Sequence, residues 1–468
     1  MRTNLYIMRL VSCICLVCAS CVSDVTTEPS AESLRKTSAG CLTADALTVF
    51  FTGNELGELK PCGCSGGQLG GLERRAAVFN RVPRGKSLIV DTGSLVKSDS
   101  EQDLIKFNII LQAFKLLDYD LVSLGEKDIE IGRNVGLLDD IGPAFNIISP
   151  QRSSDMKSAA KFTKSLLLKG KTVVVTIAAF DAKSSPIEQI GQLFTPGSAV
   201  SPAPVRGESN LDTFGINILI LNTCDDAIID FIAERITLVD CIVCPAESDE
   251  PMVAGDPNKR PLVFSVGRFG RYVCELRITE ATGVKDKPKL SFFAIPVEED
   301  LEQEASLVQL YKDYQQLVRE RNLLEKYPRF TLPGGLEYTG SASCRVCHEY
   351  EYGRWSPNAH ARAYATLEGV GSHLDPECVV CHVVGMEYEK GFISEQKTGH
   401  LKNVGCENCH GPGSEHIMTA GKAKLTEPKS ACIDCHTPEH SGDYAGNEHS
   451  FLKKIVHWKE LKPPASVK

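Results

Sequence analysis

Four times in this 468-residue chain a Cys-x-x-Cys pair is followed at once by a histidine: Cys344-Arg-Val-Cys347-His348, Cys378-Val-Val-Cys381-His382, Cys406-Glu-Asn-Cys409-His410 and Cys432-Ile-Asp-Cys435-His436. Two thiols in this spacing can take up the two vinyl groups of a porphyrin as thioethers. The adjacent imidazole then ligates the iron from one face, so the word is the attachment signature of c-type haem. One such word would also suit a zinc half-site or a redox pair. Four within 93 residues do not. A zinc module pairs its Cys-x-x-Cys units into tetrahedral sites and gives no reason for a histidine after every second cysteine. All 11 histidines lie between His348 and His457. His348, His382, His410 and His436 are the expected proximal ligands, and His360, His373, His400, His416, His440, His449 and His457 remain. A second imidazole makes an iron six-coordinate, whereas a methionine raises its potential. Only Met386 and Met418 lie in this stretch, so imidazole is the expected sixth ligand. For each of the seven, the alternative place is the surface or a haem propionate.

The elements that must hold these words follow from length and pattern. A chain of 468 residues calls for two or three domains. The net charge of −9 argues against nucleic acid as a partner. Residues 1–20 read as an export signal, with Arg2 and Arg9 ahead of a short apolar run, and Val17-Cys-Ala-Ser-Cys21 is similar to a lipoprotein cleavage box that would leave Cys21 lipidated. Leu10-Val-Ser-Cys13 is a better-spelled box with a shorter apolar core, and an ordinary cleaved signal is the alternative to both. Export agrees with haem attachment, so the expected place is the periplasm, tethered to a membrane that could be the outer one or the cell surface. Residues 22–45 read as a flexible tether.

From 46 to 298 short β-rich runs alternate with helical stretches. Strands are expected at Leu47–Thr52, Ser87–Asp91, Asp120–Leu124, Phe145–Ser149, Thr172–Ala178, Ile216–Leu221, Thr237–Val243, Leu262–Val266, Val273–Ile278 and Leu290–Ile295. Helices are expected at Asp103–Leu117 and Asp226–Glu234, and the whole is an α/β layered domain. Residues 299–335 hold a connecting helix with Leu301, Leu307, Leu310, Tyr311, Tyr314 and Leu317 on one stripe, packed on a neighbour or a dimer partner, and then a Pro/Gly boundary. Residues 336–468 form the haem domain. About 130 residues are few for four macrocycles, so a mainly α and irregular fold with the porphyrins inside it is expected.

The stretches Tyr338-Thr-Gly-Ser-Ala-Ser-Cys344, Trp355-Ser-Pro-Asn-Ala-His360, Gly405-Cys-Glu-Asn-Cys-His-Gly-Pro-Gly413 and Cys435-His-Thr-Pro-Glu-His440 resemble the tetrahaem cytochrome c-554 family. The resemblance implies that His416 is the distal ligand of the first haem, His360 of the third and His457 of the fourth. It implies an open iron on His382 in the type member, where one of the extra histidines 373, 400, 440 and 449 could stand here. The function implied is electron transfer between redox partner proteins.

The front domain resembles the metallophosphoesterase domain of the bacterial 5′-nucleotidase family, through Val49-Phe-Phe-Thr-Gly-Asn-Glu-Leu-Gly57, Gly70-Gly-Leu-Glu-Arg-Arg75, Ile89-Val-Asp-Thr-Gly-Ser94, Leu117-Asp-Tyr-Asp-Leu-Val-Ser-Leu-Gly125 and Val266-Gly-Arg-Phe-Gly-Arg-Tyr272. That family grips two metal ions with Asp, Asn and His. Its Asp-x-His position is here Asn54-Glu-Leu56, its Gly-Asp position Gly93-Ser94, and its Gly-Asn-His position Gly125-Glu126-Lys127. The lone His falls near Thr223 and the Gly-His-x-His pair near Ala246 and Ser248. The resemblance therefore implies a hydrolytically inactive scaffold. Cys62, Cys64, Cys224, Cys241 and Cys244 follow strand ends, where ligands bind in α/β sheets. Two readings stand for them: a thiolate or dithiol site fed by the haems, or structural disulfides and buried thiols of an exported protein. The expected protein is a membrane-tethered tetrahaem electron-transfer cytochrome with a docking domain. The alternative is an oxidoreductase for a small nitrogen, sulfur or thiol substrate, working at an open haem or at the cysteines.

Overall fold

The computed structural model describes residues 46–61, 68–134, 136, 138, 144–150, 159–195, 213–245, 247–280, 287–428, 432–437 and 440–459. The export signal, Cys21 and the tether lie outside the described residues. Two six-stranded mixed sheets form the front domain. The first runs β12-β11-β1-β2-β3-β4, from β1 (Ala46–Thr52), β2 (Ser87–Asp91), β3 (Leu121–Ser123), β4 (Asn146–Ile148), β11 (Tyr272–Thr279) and β12 (Lys289–Pro296). The second runs β5-β6-β7-β8-β10-β9, from β5 (Lys161–Leu168), β6 (Lys171–Phe180), β7 (Thr213–Leu221), β8 (Cys241–Cys244), β9 (Val253–Ala254) and β10 (Leu262–Ser265). In the first sheet β1 to β4 are parallel, and the antiparallel pair β11–β12 joins β1 through an antiparallel ladder. In the second, β6, β7, β8 and β10 are parallel, and antiparallel β5 and β9 close the edges.

Strand pleating explains why these runs are apolar throughout. In β1, Leu47, Val49 and Phe51 face the second sheet, where they meet Val175, Ile177, Ile218 and Phe264. Phe50 faces the other way, onto helices α1 (Glu101–Leu116) and α4 (Ala305–Glu320). The outer face of the second sheet, with Leu219 and Ile242, is covered by α3 (Asp226–Arg235), and α2 (Glu126–Asn134) follows β3. Side chains alternating between two buried faces give four layers, helix, sheet, sheet, helix.

The expected strands are present, with ends moved by a few residues, and two strands were not anticipated, the two-residue edge β9 and the longer β5. β5 alternates Phe162, Leu166 and Leu168 with Lys161, Thr163, Ser165 and the exposed Leu167, the pattern of a half-exposed edge rather than an apolar run. Thr237–Val239 is not strand; the Asp240 backbone already bonds both neighbours, its amide donating to the Asn217 carbonyl at 2.9 Å and its carbonyl accepting from the Leu262 amide at 3.0 Å, and β8 follows from Cys241. The connecting helix packs on α1 of its own chain, burying Leu307, Leu310 and Tyr314, so its stripe needs no dimer partner. It stops at Asn322, whose φ of 53° is left-handed.

Behind it the chain turns to short helices around one small cluster of Leu324, Tyr364, Leu367, Val379, Val383, Val384, Met386, Phe392 and Leu401. Between Leu336 and Arg362 only Gly340 is buried. Among the described residues no helix is long and apolar enough to cross a membrane.

Beneath the first sheet lies a buried polar knot. Arg75 makes a bidentate contact with Glu55, and Tyr119 and Thr52 link it to Asp91. Burial pushes the Asp91 carboxyl well above the usual carboxylate range, with Glu55 adding to the push. Glu55 and Arg75 are both fully enclosed. Arg75→Met should therefore cost about 3–5 kcal/mol by leaving one charge buried and unpaired, read as a lower denaturation midpoint by circular dichroism. A loss below about 1 kcal/mol would place the pair in solvent.

Candidate functional site

Helical turns set the haem words. α5 (Pro376–His382) carries the second and α6 (Cys406–His410) is the third. Cys344 closes the turn Ser341–Cys344 and His348 precedes the helix Glu349–Trp355. Helical spacing puts the first thiol, the second thiol three residues on and the imidazole four on along one face. Glu407, inside the third word, accepts from the backbone amides of Thr339, Gly340 and Gly413 at 2.7–3.0 Å. One buried carboxylate thereby ties the first word, the third word and the loop leading to His416 together.

The structure then brings histidines together across space. His348 and His416 stack with ring centres 6.0 Å apart, His410 and His457 lie at 6.1 Å, and His360 and His436 at 6.3 Å. Each pair joins one proximal histidine to one of the spare ones. Two metal–nitrogen bonds of about 2 Å, plus the half-width of each ring, place ring centres about 6 Å apart across one metal ion. The donor set thus fits an iron between each pair. The partners differ in one respect from those the resemblance implied: His360 lies beside the fourth word's His436, and His457 beside the third word's His410. Chain order does not encode which ring faces which. His416 sits beside His348, as the resemblance had it.

The far side of several rings is already committed. Nδ1 of His416 lies 2.7 Å from the Ala423 carbonyl, that of His457 2.9 Å from Ile455 and that of His382 2.5 Å from Ala363. A carbonyl oxygen only accepts, so Nδ1 donates and Nε2 keeps its lone pair for a metal. Nδ1 of His436 meets the Ser441 hydroxyl at 3.0 Å. Burial pulls the pKa of His360, His410 and His436 down, favouring the neutral, ligating form. The first and third words touch through a Cys344–Cys406 hydrogen bond, and the second and fourth through Cys435 and Cys381. Of the other histidines, His373 lies edge-on to Tyr364, and His440 places Nδ1 3.0 Å from the Thr437 hydroxyl.

In the front domain the loops after β1, β2, β3, β7 and β8 enclose a cleft of about 480 Å³ lined by residues that include Asn54, Ser94, Lys127, Asn222, Cys244 and Arg268. Asn54, Leu56 and Ser94 there have left-handed φ values of 51°, 50° and 61°. Asp128 accepts from the amides of Ser94, Leu95 and Gly125, so its carboxylate is spent on the backbone.

Of the five cysteines, the three in the described residues, Cys224, Cys241 and Cys244, do not share one site in this cleft. Cys224 and Cys244 are joined as a disulfide. Cys241 starts β8 and faces the core between the sheets with Val243, while Ile242 and Cys244 face the α3 side. Residues three apart on a strand point to opposite faces, so Cys241 and Cys244 cannot share a site. Cys62 and Cys64 lie outside the described residues. Burial raises the Cys241 and Cys274 thiols far above their ordinary range, which makes them inert.

Comparison with known proteins follows the same division. Residues 343–411 match the family model "Cytochrome c554 and c-prime". Cytochrome c-554 of Nitrosomonas europaea is 33% identical over a match covering 18% of this chain and 45% of that protein. The C-terminal region resembles cytochrome c-554. The chain thus spans under half the length of this curated relative. The fold is similar to the calcineurin-like phosphoesterase YfkN from Bacillus subtilis, with a TM-score of 0.41, 15% identity, and 59% of this chain and 98% of that one covered. It is also similar to a 5′-nucleotidase precursor from Thermus thermophilus, with a TM-score of 0.45, 15% identity, and 76% and 73% covered.

Sequence reading missed the contacts of Gln102 and Lys106 with Asp375 and Glu377, because nothing local links residues more than 270 positions apart. For the thiols, alkylation of the folded protein without reductant should leave Cys224, Cys241, Cys244 and Cys274 unmodified. After denaturation, Cys241 and Cys274 should react at once, and Cys224 and Cys244 only after reduction, as read by peptide mass. Labelling of Cys244 in the native, unreduced protein would restore a thiol site.

Proposed function

We propose that the chain is an exported tetrahaem c-type cytochrome that relays single electrons between redox partner proteins. On this reading Cys21 carries a lipid that tethers it to a membrane, and the front domain is a hydrolytically inactive scaffold for docking. The observation that carries the reading is the set of three imidazole pairs at 6.0–6.3 Å, each built from one haem-word histidine and one distant histidine. Bound haem supplies a one-electron iron couple whose potential depends on its ligands and its burial.

The chain's own residues do the rest. The thiols Cys344 and Cys347, Cys378 and Cys381, Cys406 and Cys409, and Cys432 and Cys435 fix each group covalently. His348, His382, His410 and His436 hold one face; His416, His457 and His360 hold the second face at the first, third and fourth words. Carbonyls behind His416, His457 and His382 fix the ring tautomer and orientation. Contacts between words one and three, and two and four, bring the attachment points close enough for short electron steps.

The docking role rests on the front domain's complete core and on a cleft whose wall carboxylate is turned to backbone amides. The oxidoreductase alternative would use cysteine through the Cys224–Cys244 bridge, whose Cys244 lines the cleft, as a dithiol/disulfide pair. Its haem form is tested together with the main reading.

Purified exported protein should carry four covalent haems by mass and by the reduced pyridine spectrum. His416→Ala, His457→Ala and His360→Ala should each turn one low-spin haem high-spin and open it to carbon monoxide. Colourless protein would overturn the reading, and turnover of nitrite, hydroxylamine or sulfite at one carbon-monoxide-binding haem of the unaltered protein would favour the enzyme. Cys21→Ser should move the protein from the membrane to the soluble fraction of the cell.

A further inference from the structure

The haem region meets the front domain at the start of α5, the helix that carries Cys378, Cys381 and His382. Asp375 caps this helix, accepting from the Glu377 amide at 3.0 Å. Its carboxylate oxygens also accept from Gln102 Nε2 at 2.7 Å and from the Tyr314 hydroxyl at 2.8 Å. Four residues along α1 from Gln102, on the same face, Lys106 pairs with Glu377. On α4, Gln315 donates to the Val370 carbonyl at 2.9 Å and the Ser372 hydroxyl at 3.0 Å. α1 and α4 thus cradle the segment from Val370 to Cys378.

Lys106 is the notable member, since it is only 6% exposed. An ammonium buried at a contact between domains is costly unless it is paired, and an apolar side chain of the same length would bury there at less cost. Its charge nevertheless persists. Burial works against it, but Glu377, Asp375 and Glu58 around it hold its pKa above the ordinary lysine range. Glu377 directly precedes Cys378, so the charge pair adjoins a haem attachment point.

We propose that the front domain positions the second haem word and tunes its reduction potential, with Gln102, Lys106 and Tyr314 acting on α5 through Asp375 and Glu377. This rests on the electron-transfer reading and gives the front domain a role inside the molecule besides docking. A buried cation beside a redox centre favours its reduced form, and its carboxylate partner favours the oxidised form. A unit charge at that range, in a medium of effective dielectric about 20, shifts a redox equilibrium about tenfold, which is about 59 mV for one electron.

The test is a spectroelectrochemical titration of the full-length holoprotein. Lys106→Met should lower the midpoint of one haem by about tenfold in its equilibrium, because Glu377 and Asp375 lose their counter-charge. Glu377→Gln, at a half-exposed site that should not disturb folding, should raise the same midpoint. Gln102→Leu, which keeps every charge, should broaden or shift that haem's electron paramagnetic resonance signal while leaving the others alone. Opposite shifts confined to one haem support the proposal. Unmoved midpoints in both charge variants, or equal shifts of all four haems, overturn it while the electron-transfer reading stands. A wild-type protein with no reducible haem ends that reading and this one together.

Discussion

Two imidazole rings with their centres about 6 Å apart, at interplanar angles from 27° to 85°, leave a gap too wide for contact and too narrow for a layer of protein. Such a gap forfeits dispersion on both linings. The chain contains three of them within its last 120 residues or so, and each brings together histidines far apart in sequence. An arrangement of that kind is stable only when something bonds across it. The sparse burial around the words has the same origin, since Val346 inside the first word is 85% exposed and the region's own cluster holds only nine buried apolar side chains. On the proposed reading, folding of this half is coupled to its metal groups. The front half, with three apolar clusters between and outside its sheets, is self-sufficient.

Carboxylates reveal a second common constraint. Glu407, Asp128 and Asp375 are all buried, and each spends its oxygens on backbone amides or on neutral donors. Buried charge without such partners would be expelled or neutralised. In the front cleft this use removes Asp128 from any part in holding a cation. In the haem region the same chemistry sets where the words stand relative to one another. One type of interaction thus occupies Asp128 in the front cleft and sets where the words stand.

How far the sequence revealed this depends on the range of the signal. Ser87–Asp91 was legible to the residue, because an apolar run bounded by polar turns is a local pattern. Lys161–Leu168 was not, because an edge strand with Lys161, Thr163 and Ser165 on its outer face carries no such run. The four haem words were legible for the same local reason. The identity of each word's opposite histidine was not, and His360 and His457 exchange partners relative to the resemblance. The supposed convergence of Cys241 and Cys244 failed on strand parity, a rule that reaches Cys244 only because the strand runs one residue beyond the expected Val243.

The β1 loop ties the two halves into one mechanical unit. Asn54 and Leu56 line the front cleft in strained left-handed conformations. Two residues on, Glu58 turns to the opposite side and faces Lys106, Glu377, Lys97 and Arg271. Burial pushes the Glu58 carboxyl up to about 7, with Lys106 pulling the other way and Glu377 adding to the push. The same five-residue stretch thus forms part of the cleft wall and part of the surface on which the second word rests. Its backbone is pinned between, with the Leu56 and Gly57 amides donating to the Ser94 and Leu95 carbonyls. The cleft wall and the surface beneath the second word are therefore joined through the chain itself, between Asn54 and Glu58.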